Sequence, residues 1–399
     1  MKLLHTADWH IGKHLHKVDL SEDLEMFFDW LVETIAKKEI DLLLVSGDVF
    51  DQANPSQAAL AQYYGFLKRM IGSGCKILIT GGNHDSAAVL NAPKDILSVL
   101  DVHVVGGATE KIADVFFTYQ KNDQNVVVAG VPFLKDKDIR KSVAGESYSD
   151  KIEQIRAGIK SYFSNINQYY TDQYSDHCFI VMGHLYAQGA KISESMRDIQ
   201  IGNQAGINES VFGDAPHYVA LGHIHKPYAI SESRRIHYSG SPIALSFSEK
   251  EEVKQVNILT VTGNEIDVEI CPVPQFRNLV AFSGTLAEVR HQLEDYNLKT
   301  PLISLAELII TEPNESIQIR QELDDLIETY QNEYLRIVKS RLHFTNKIRG
   351  ASDGFKPGVS VADVTPMEMF EKRLELDGIQ ENREDLTNAF RQILEELNL

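Results

Sequence analysis

Several short apolar runs of this chain end in the same kind of polar group, and this recurrence restricts the fold more than any other feature. Each of these runs is rich in Leu, Ile or Val and stops at His, Asp or Asn side chains. In chain order the groups are Asp8 and His10, then Asp48 and Asp51, then Asn83, His84 and Asp85, then His184, and last His223 and His225. Functional groups gather at the carboxyl ends of the strands in an open α/β sheet. The pattern therefore predicts that these distant side chains converge on one site.

The apolar runs themselves predict buried strands, because each has four to eight residues bounded by turn formers. The predicted strands are Lys2 to Ala7, Asp41 to Ser46, Lys76 to Thr80, Val126 to Gly130, Cys178 to Met182 and Tyr218 to Leu221. Between them, Ser21 to Lys38 and Ser56 to Ile71 have helical periodicity. Residues 1–275 are thus expected to form a layered α/β domain.

The remaining 124 residues have a different pattern. Residues 278–344 alternate apolar runs and helical patterns in the order β-α-β-α-β, which predicts a small α+β domain. Residues 346–363 are rich in Gly and predict a linker. Residues 364–399 predict two amphipathic helices whose apolar stripes must pack either on this chain or on a partner helix.

Composition restricts the class of protein. The chain has 39 Lys plus Arg against 57 Asp plus Glu, a formal net charge of −18, which on its own argues against a polyanion-binding protein. Its three cysteines form no C-x-x-C pair, so neither a disulfide framework nor a structural zinc site is predicted. The sequence has no run that resembles a signal peptide. It also has no stretch that approaches the roughly 18 consecutive apolar residues that a membrane span needs. We expect a cytoplasmic protein without a membrane partner.

The ligand types at the strand ends predict a metal site. Imidazole, carboxylate and amide groups without a thiolate favour a hard or borderline divalent ion; manganese suits this mixture, and magnesium, iron and zinc remain open. The donors exceed what one ion holds, and a carboxylate such as Asp48 can bridge two ions, so we expect a two-metal site suited to hydrolysis of a phosphoester. His84 lies between Asn83 and Asp85, as a histidine held for proton donation would. A single histidine in such a position is more often a surface or core residue than a metal ligand. The prediction rests on the recurrence of ligand groups at five strand ends.

The motif series resembles that of a known superfamily. Asp8-Trp9-His10, Gly47 to Asp51, Gly82 to Asp85, Gly183-His184 and Gly222 to His225 are similar, in order, to the motifs of calcineurin-like metallophosphoesterases. The longer segments His5 to Gly12, Ala220 to His225 and Tyr238 to Phe247 resemble the family of nuclease subunits of bacterial SbcCD complexes.

This resemblance implies an architecture and an activity. The fold would be a four-layer sandwich of two mixed β-sheets flanked by helices, with a capping domain at 278–344 and ATPase-binding helices within 364–398. The activity would be a manganese-dependent DNA nuclease, an exonuclease on double-stranded ends and an endonuclease on single strands and hairpins. It would act as a homodimer with a coiled-coil ATPase in DNA repair, replication and recombination.

The resemblance also implies residue roles. Asp8, His10, Asp48 and His225 would hold one metal ion, and Asp48, Asn83, His184 and His223 the other. His84 would act on the scissile phosphate, with Asp85 orienting it. Asp51 stands where archaeal and eukaryotic relatives have His, and it is not counted as a ligand.

Contacts with DNA and with a second subunit can also be predicted from the sequence. The candidate phosphate contacts are Lys13, His14, His16 and Lys17, with Arg234 and Arg235, although a solvated surface is the commoner explanation for either cluster taken alone. The helix at 56–71 has aromatic and apolar residues on more than one face, as expected for a dimer helix or an ordinary buried helix.

Two other functions remain open. The first is a metallophosphatase or phosphodiesterase acting on small molecules or phosphoproteins, which would have no need of the appended 124 residues. The second is a scaffold subunit that uses the metal domain only structurally, against which the complete donor set and His84 argue.

Overall fold

The structure is a computed structural model that describes residues 1–140, 146–187, 207–231, 236–314, 316–346, 365–376 and 383–396. The chain forms two compact units, one of residues 1–281, 296–307 and 331–339, and one of residues 282–295, 308–330 and 340–399. The predicted domain boundaries remain a prediction. The predicted linker lies outside the described residues except for residue 346.

Strands and helices alternate along most of the described chain. The strands are β1 (Lys2–Thr6), β2 (His14–Leu15), β3 (Val18–Asp19), β4 (Leu42–Ser46), β5 (Lys76–Thr80), β6 (Val102–Val105), β7 (Phe116–Lys121), β8 (Gln124–Gly130), β9 (Cys178–His184), β10 (Tyr218–Gly222), β11 (Tyr228–Ser231), β12 (Ile236–Tyr238), β13 (Gln255–Thr262), β14 (Glu265–Pro272), β15 (Leu279–Gly284), β16 (Ser304–Glu312) and β17 (Leu335–Phe344). The α-helices are α1 (Ser21–Lys38), α2 (Gln57–Met70), α3 (Ala87–Asn91), α4 (Lys94–Ser98), α5 (Asp136–Ile139), α6 (Tyr148–Gln173), α7 (Leu286–Glu294), α8 (Ile317–Thr329), α9 (Pro366–Leu376) and α10 (Arg383–Glu396).

Two mixed six-stranded sheets form the centre of the first unit. The first has the order β14-β13-β1-β4-β5-β6, with β1, β4, β5 and β6 parallel. The second has the order β11-β12-β10-β9-β8-β7, with β12, β10, β9 and β8 parallel. The predicted strands correspond to β1, β4, β5, β8, β9 and β10, and the predicted helices to α1 and α2; all are confirmed, with small shifts at their ends.

The alternation of side chains along the strands builds the layers. Leu3 and Leu44 face the second sheet and share a buried cluster with Val127 and Ile180. Their neighbours Leu4, Leu43 and Val45 belong to the other buried cluster, which contains the apolar faces of α1 and α2. Helix α6 covers the second sheet. The resulting order is helices, sheet, sheet, helix, which confirms the predicted four-layer sandwich.

Residues 279–344 have the predicted order of elements, namely β15, α7, β16, α8 and β17, and the three strands lie in the order β15-β16-β17. In the second unit, α9 and α10 contact each other through the stacked rings of Phe370 and Phe390, whose centroids are 4.1 Å apart. No helix of the described residues has the length and apolar character that crossing a membrane requires.

Trp9 ties the end of β1 to the helical layer. Its side chain is fully buried and packs edge to face on Phe28 of α1 and Phe66 of α2, with centroid distances of 5.0 and 5.2 Å. Its ring nitrogen donates to Thr6 Oγ1 at 3.1 Å. Since Trp9 lies between Asp8 and His10, this packing fixes the backbone that carries the first two predicted ligands.

We therefore expect Phe66→Ala to destabilise the protein by about 3–5 kcal/mol, because it removes a ring from a fully buried aromatic cluster. Chemical denaturation followed by tryptophan fluorescence would measure this. Val253→Ala is the matched control, since Val253 is 70% exposed and the change should stay within about 0.5 kcal/mol. Equal effects of the two substitutions would contradict the assigned role of the cluster.

Candidate metal centre

The predicted ligands meet where the two sheets end. Asp8 and His10 follow β1, Asp48 follows β4, and Asn83 follows β5, all in the first sheet; His184 ends β9 and His223 and His225 follow β10 in the second. Strands β1, β4 and β5 are neighbours, as are β9 and β10, where His184 is paired in register with Gly222. The parallel strands thus bring residues more than 200 positions apart to one edge.

The donor atoms form two groups that a third group links. Asp8, His10 and His225 have donor atoms within 4.8 Å of one another, and so do Asp48, His184 and His223; the linking group is His10, Asp48 and His84. Asp48 Oδ2 lies 3.2 Å from His184 Nε2 and 3.6 Å from His10 Nε2, so this carboxylate lies between the groups.

Asn83 completes the second group. Its Oδ1 lies 3.0 Å from His184 Nε2 and 2.9 Å from His223 Nδ1. The seven predicted ligands are therefore all brought together, with Asp48 in the shared position that a bridging carboxylate requires.

Two features indicate that the cluster fits cations. Asp8 Oδ2 is buried and has no hydrogen-bond partner, although Asp8 Oδ1 accepts from His223 N at 2.8 Å. His10 Nε2 and His225 Nε2 are 3.2 Å apart and can share either a proton or a cation. Two nitrogens bound to one ion at about 2.1 Å lie about 3 Å apart, so this separation suits a common metal ion.

The electrostatics of the cluster point the same way. Burial opposes ionisation of Asp48, but the neighbouring His184 and His10 outweigh it and hold the pKa of this carboxyl well below its usual range. Burial likewise opposes protonation of His184, but Asp48 outweighs it and raises the pKa of His184 to about 9. Burial lowers the pKa values of His10 and His223, which keeps these imidazoles in the neutral form that binds a metal ion.

The backbone of the ligand loops is strained. Asp8, His10, Asp48 and His223 all have positive φ angles, between 48° and 93°. Such angles are uncommon for residues other than Gly and cost of order 1–3 kcal/mol each. The positive φ angles end the regular alternation of the strands, and the four side chains face the site.

Glycines allow the ligand loops to approach one another closely at the site. A Cβ atom at Gly222 would overlap the carbonyl oxygen of Ser46 and approach His184 Nδ1, and one at Gly82 would overlap the carboxylate and backbone nitrogen of Asp48. The glycines that precede these ligands in the motifs are thus required by close packing.

The described hydrogen bonds of His84 are with Asp51 and Asp48, and the predicted orienting role of Asp85 stays a prediction. His84 Nδ1 is hydrogen-bonded to the backbone carbonyl oxygen of Asp51 at 2.8 Å, and His84 N donates to Asp48 Oδ1 at 2.9 Å. Asp85 instead accepts backbone N–H bonds from Gly82, Val49 and Phe50, at 2.8, 3.0 and 2.9 Å. Asp85 therefore orients the loops that carry Asn83 and Asp48, and Asp51 orients the His84 ring.

Two carboxylates beside the ligands have no role that the sequence predicts. Asp51 Oδ1 lies 3.1 Å from His10 Nδ1, and Glu249 Oε1 lies 3.3 Å from His225 Nδ1. The sequence pattern singles out Asp51 without a role, and it gives no role to Glu249, which lies just beyond the family-like segment that ends at Phe247. A carboxylate two residues after a recognised motif is the signal that could have found it.

Comparison with known proteins identifies the family. Residues 1–227 match the calcineurin-like phosphoesterase family, and residues 275–377 match the type 5 capsule protein repressor C-terminal domain family. The chain belongs to the calcineurin-like phosphoesterase family. It is 30% identical to the SbcD subunit of nuclease SbcCD from Escherichia coli (strain K12), over 96% of this chain and 95% of that protein. It is 31% identical to the SbcD subunit from Rhodobacter capsulatus, over 74% of this chain and 75% of that protein.

Membership of this family confirms the predicted fold class and the predicted class of enzyme, a metal-dependent hydrolase of phosphate esters. The resemblance to the nuclease subunits of SbcCD complexes is also confirmed, because the likeness to the E. coli protein extends over nearly the whole of both chains. The described donor groups agree with the divalent metal ions that a phosphoesterase of this family uses.

We expect Gly222→Ala in this phosphoesterase to lower the free energy of unfolding by about 1–3 kcal/mol and to abolish metal binding, because the new methyl group separates the ligand loops. Unfolding and Mn²⁺ titration by calorimetry would measure the two effects. Gly65→Ala is the control: its Cβ would meet nothing within 4 Å, and in the interior of α2 it should stabilise by about 0.5–1 kcal/mol. Unchanged metal affinity in Gly222→Ala would exclude the close-packing argument.

Proposed function

We propose that the chain is the manganese-dependent DNA nuclease subunit of a two-component complex. The observation that carries the proposal is the combination of the seven-ligand cluster with a likeness to the E. coli SbcD nuclease subunit over 96% of the chain. A phosphatase acting on small molecules shares the cluster but does not explain why the likeness continues through the second unit.

In this proposal Asp8, His10, Asp48 and His225 hold one ion, and Asp48, Asn83, His184 and His223 hold the other. The 3.2 Å contact between His10 and His225 and the shared position of Asp48 support the division. When bound, two divalent ions lower the pKa of water and offset the negative charge that builds up on the phosphoryl oxygens.

His84 is the proposed catalytic residue. It is half-buried at the edge of the cluster, and its ring packs edge to face against His10 at 4.9 Å between centroids. The hydrogen bond from Nδ1 to the Asp51 carbonyl requires that Nδ1 carries the proton and directs Nε2 away from the backbone. We assign to Nε2 the hydrogen bond or proton transfer at the scissile phosphate, and to Asp85 the positioning of the loop that carries His84.

The candidate DNA contacts lie on the hairpin of β2 and β3. His14, His16 and Lys17 lie there, whereas Lys13 pairs with Asp51 at 3.0 Å and is less available to phosphate. We therefore assign the phosphate contact chiefly to Lys17. Arg234 and Arg235 lie outside the described residues.

A homodimer and an ATPase partner complete the proposal. Tyr64 of α2 and Ile71 after it are 39% and 54% exposed, and Ile96 and Val99 after the third motif are 72% and 83% exposed, which supports a dimer surface made from these segments. Helices α9 and α10 are the proposed docking site for the coiled-coil ATPase. The free thiols of all three cysteines are in keeping with a reducing, cytoplasmic location.

The nuclease proposal predicts that purified protein with Mn²⁺ cleaves a linear duplex and a hairpin. His84→Ala should lower the rate about 10²- to 10⁴-fold, the usual contribution of a positioned acid or base, while Mn²⁺ binding persists. A generic aryl phosphoester serves as the comparison substrate. Turnover of the ester without cleavage of DNA would favour the small-molecule phosphatase, and cleavage unaffected by His84→Ala would refute the assigned mechanism.

Removal of residues 364–399 should abolish capture of the coiled-coil ATPase but leave Mn²⁺-dependent cleavage of the aryl ester, because no proposed ligand lies in that segment. Co-purification with the ATPase measures the first effect and ester hydrolysis the second. Equal recovery of the ATPase with and without the segment would refute the docking role.

A further inference from the structure

Two chains of contacts with the same chemistry support one half of the metal cluster. In the first, His10 Nδ1 bonds to Asp51 Oδ1 at 3.1 Å, and Lys13 Nζ bonds to the same oxygen at 3.0 Å. In the second, His225 Nδ1 bonds to Glu249 Oε1 at 3.3 Å, and Lys254 Nζ bonds to Glu249 Oε2 at 2.6 Å. Each is a histidine, a carboxylate and a lysine in that order.

The second chain is almost fully buried. Glu249 is 1% exposed and Lys254 is 7% exposed, and Lys254 Nζ also donates to the carbonyl oxygen of His225 at 3.2 Å. Glu249 Oε2 accepts a further hydrogen bond from Leu245 N at 3.2 Å. The bond from Lys254 fixes the backbone at His225, and the bond from Leu245 fixes Glu249 to the segment that follows β12. The ion pair is thus held directly beside a predicted metal ligand.

A carboxylate behind a histidine determines which nitrogen faces the metal. An ionised carboxylate only accepts hydrogen bonds, so it keeps the proton on Nδ1 and presents the Nε2 lone pair to the site. It also makes the imidazole a stronger donor, and loss of such a partner typically weakens metal binding about 10- to 100-fold. The lysine keeps the carboxylate ionised inside the protein.

The other half of the cluster has weaker supports. His184 Nδ1 bonds to the carbonyl oxygen of Ser46 at 2.9 Å, which is a neutral acceptor. His223 Nδ1 meets Asn83 Oδ1 at 2.9 Å, but this oxygen is itself a proposed ligand, so the contact is not a support behind the ring. The two halves share Asp48 and have two histidines each. They differ in Asp8 against Asn83, and in the pair of supporting carboxylates on the side of His10 and His225.

We propose that Asp51 and Glu249 are positioning residues that make the half formed by Asp8, His10 and His225 the tighter metal position, so that the half formed by Asn83, His184 and His223 takes its ion second and more weakly. This inference rests on the ligand set of the proposed function. It adds an order of loading and two residues outside that set.

The test is a calorimetric titration of chelator-treated, full-length protein with MnCl₂. Wild type should bind two ions in two steps of different affinity, and Asn83→Ala should remove the weaker step only. Glu249→Gln and Asp51→Asn should each weaken the tighter step about 10- to 100-fold and leave the weaker step unchanged. Asp51→Glu, which keeps the carboxylate, should restore much of the affinity.

Glu307→Gln is the matched control, because Glu307 is a buried carboxylate paired with Lys339 at 2.9 Å on the three-stranded sheet. It should leave both binding steps unchanged. If Glu249→Gln does not fold, Glu249→Gln with Lys254→Met removes both charges together and serves in its place.

Two equal steps in wild type, or carboxylate variants that weaken the step lost in Asn83→Ala, would overturn the inference. Two-step binding without DNA cleavage would overturn the nuclease proposal alone. DNA cleavage with the tighter step unaffected by Glu249→Gln and Asp51→Asn would overturn the inference alone.

Discussion

The contact between Asp48 and His184 is the interaction on which the rest of the site depends. Asp48 follows β4 in the first sheet, His184 ends β9 in the second, and their side chains meet at 3.2 Å with almost no exposure to solvent. An isolated buried charge costs several kcal/mol, so a carboxylate is stable here only while imidazoles and cations surround it. The two sheets must therefore end at the same place, with ligands from both, for either to tolerate its buried groups.

This requirement explains why the strain of the molecule is concentrated in the ligand loops. The positive φ angles of Asp8, His10, Asp48 and His223 oppose folding, and the close approach of Ser46 to Gly222 leaves no room for a side chain. The buried clusters on both faces of the first sheet supply the opposing stability, and Trp9 anchors its loop in the cluster that contains the apolar faces of α1 and α2. A rigid apolar frame thus holds loops that would not adopt this conformation alone.

The contrast between the apolar frame and the ligand loops also explains what could be predicted from the sequence. Strands such as β4 and β5 and the ligands that follow them could be predicted, because a buried parallel strand is a local apolar run and its functional group comes next in the chain. Helix α6 is absent from the predicted elements, although Ile155, Ile159, Phe163 and Ile166 form a helical stripe. The partner of His84 could not be predicted, because the bond comes from a backbone carbonyl of Asp51 and carries no side-chain signature. Glu249 reaches His225 only through tertiary folding.

The acidity of the chain has a different meaning once these contacts are known. Asp51 and Glu249 are each neutralised by a lysine, so they strengthen the histidines without adding net negative charge to the site. The carboxylates without a lysine at the cluster, Asp8, Asp48 and Asp85, carry at most three negative charges, whereas two divalent ions carry four positive ones. A site built in this way attracts phosphate locally even though the chain as a whole has a charge of −18. The global charge opposes an extended grip on DNA, so the proposed nuclease would derive most of its affinity from its partner and from the paired sites of a dimer.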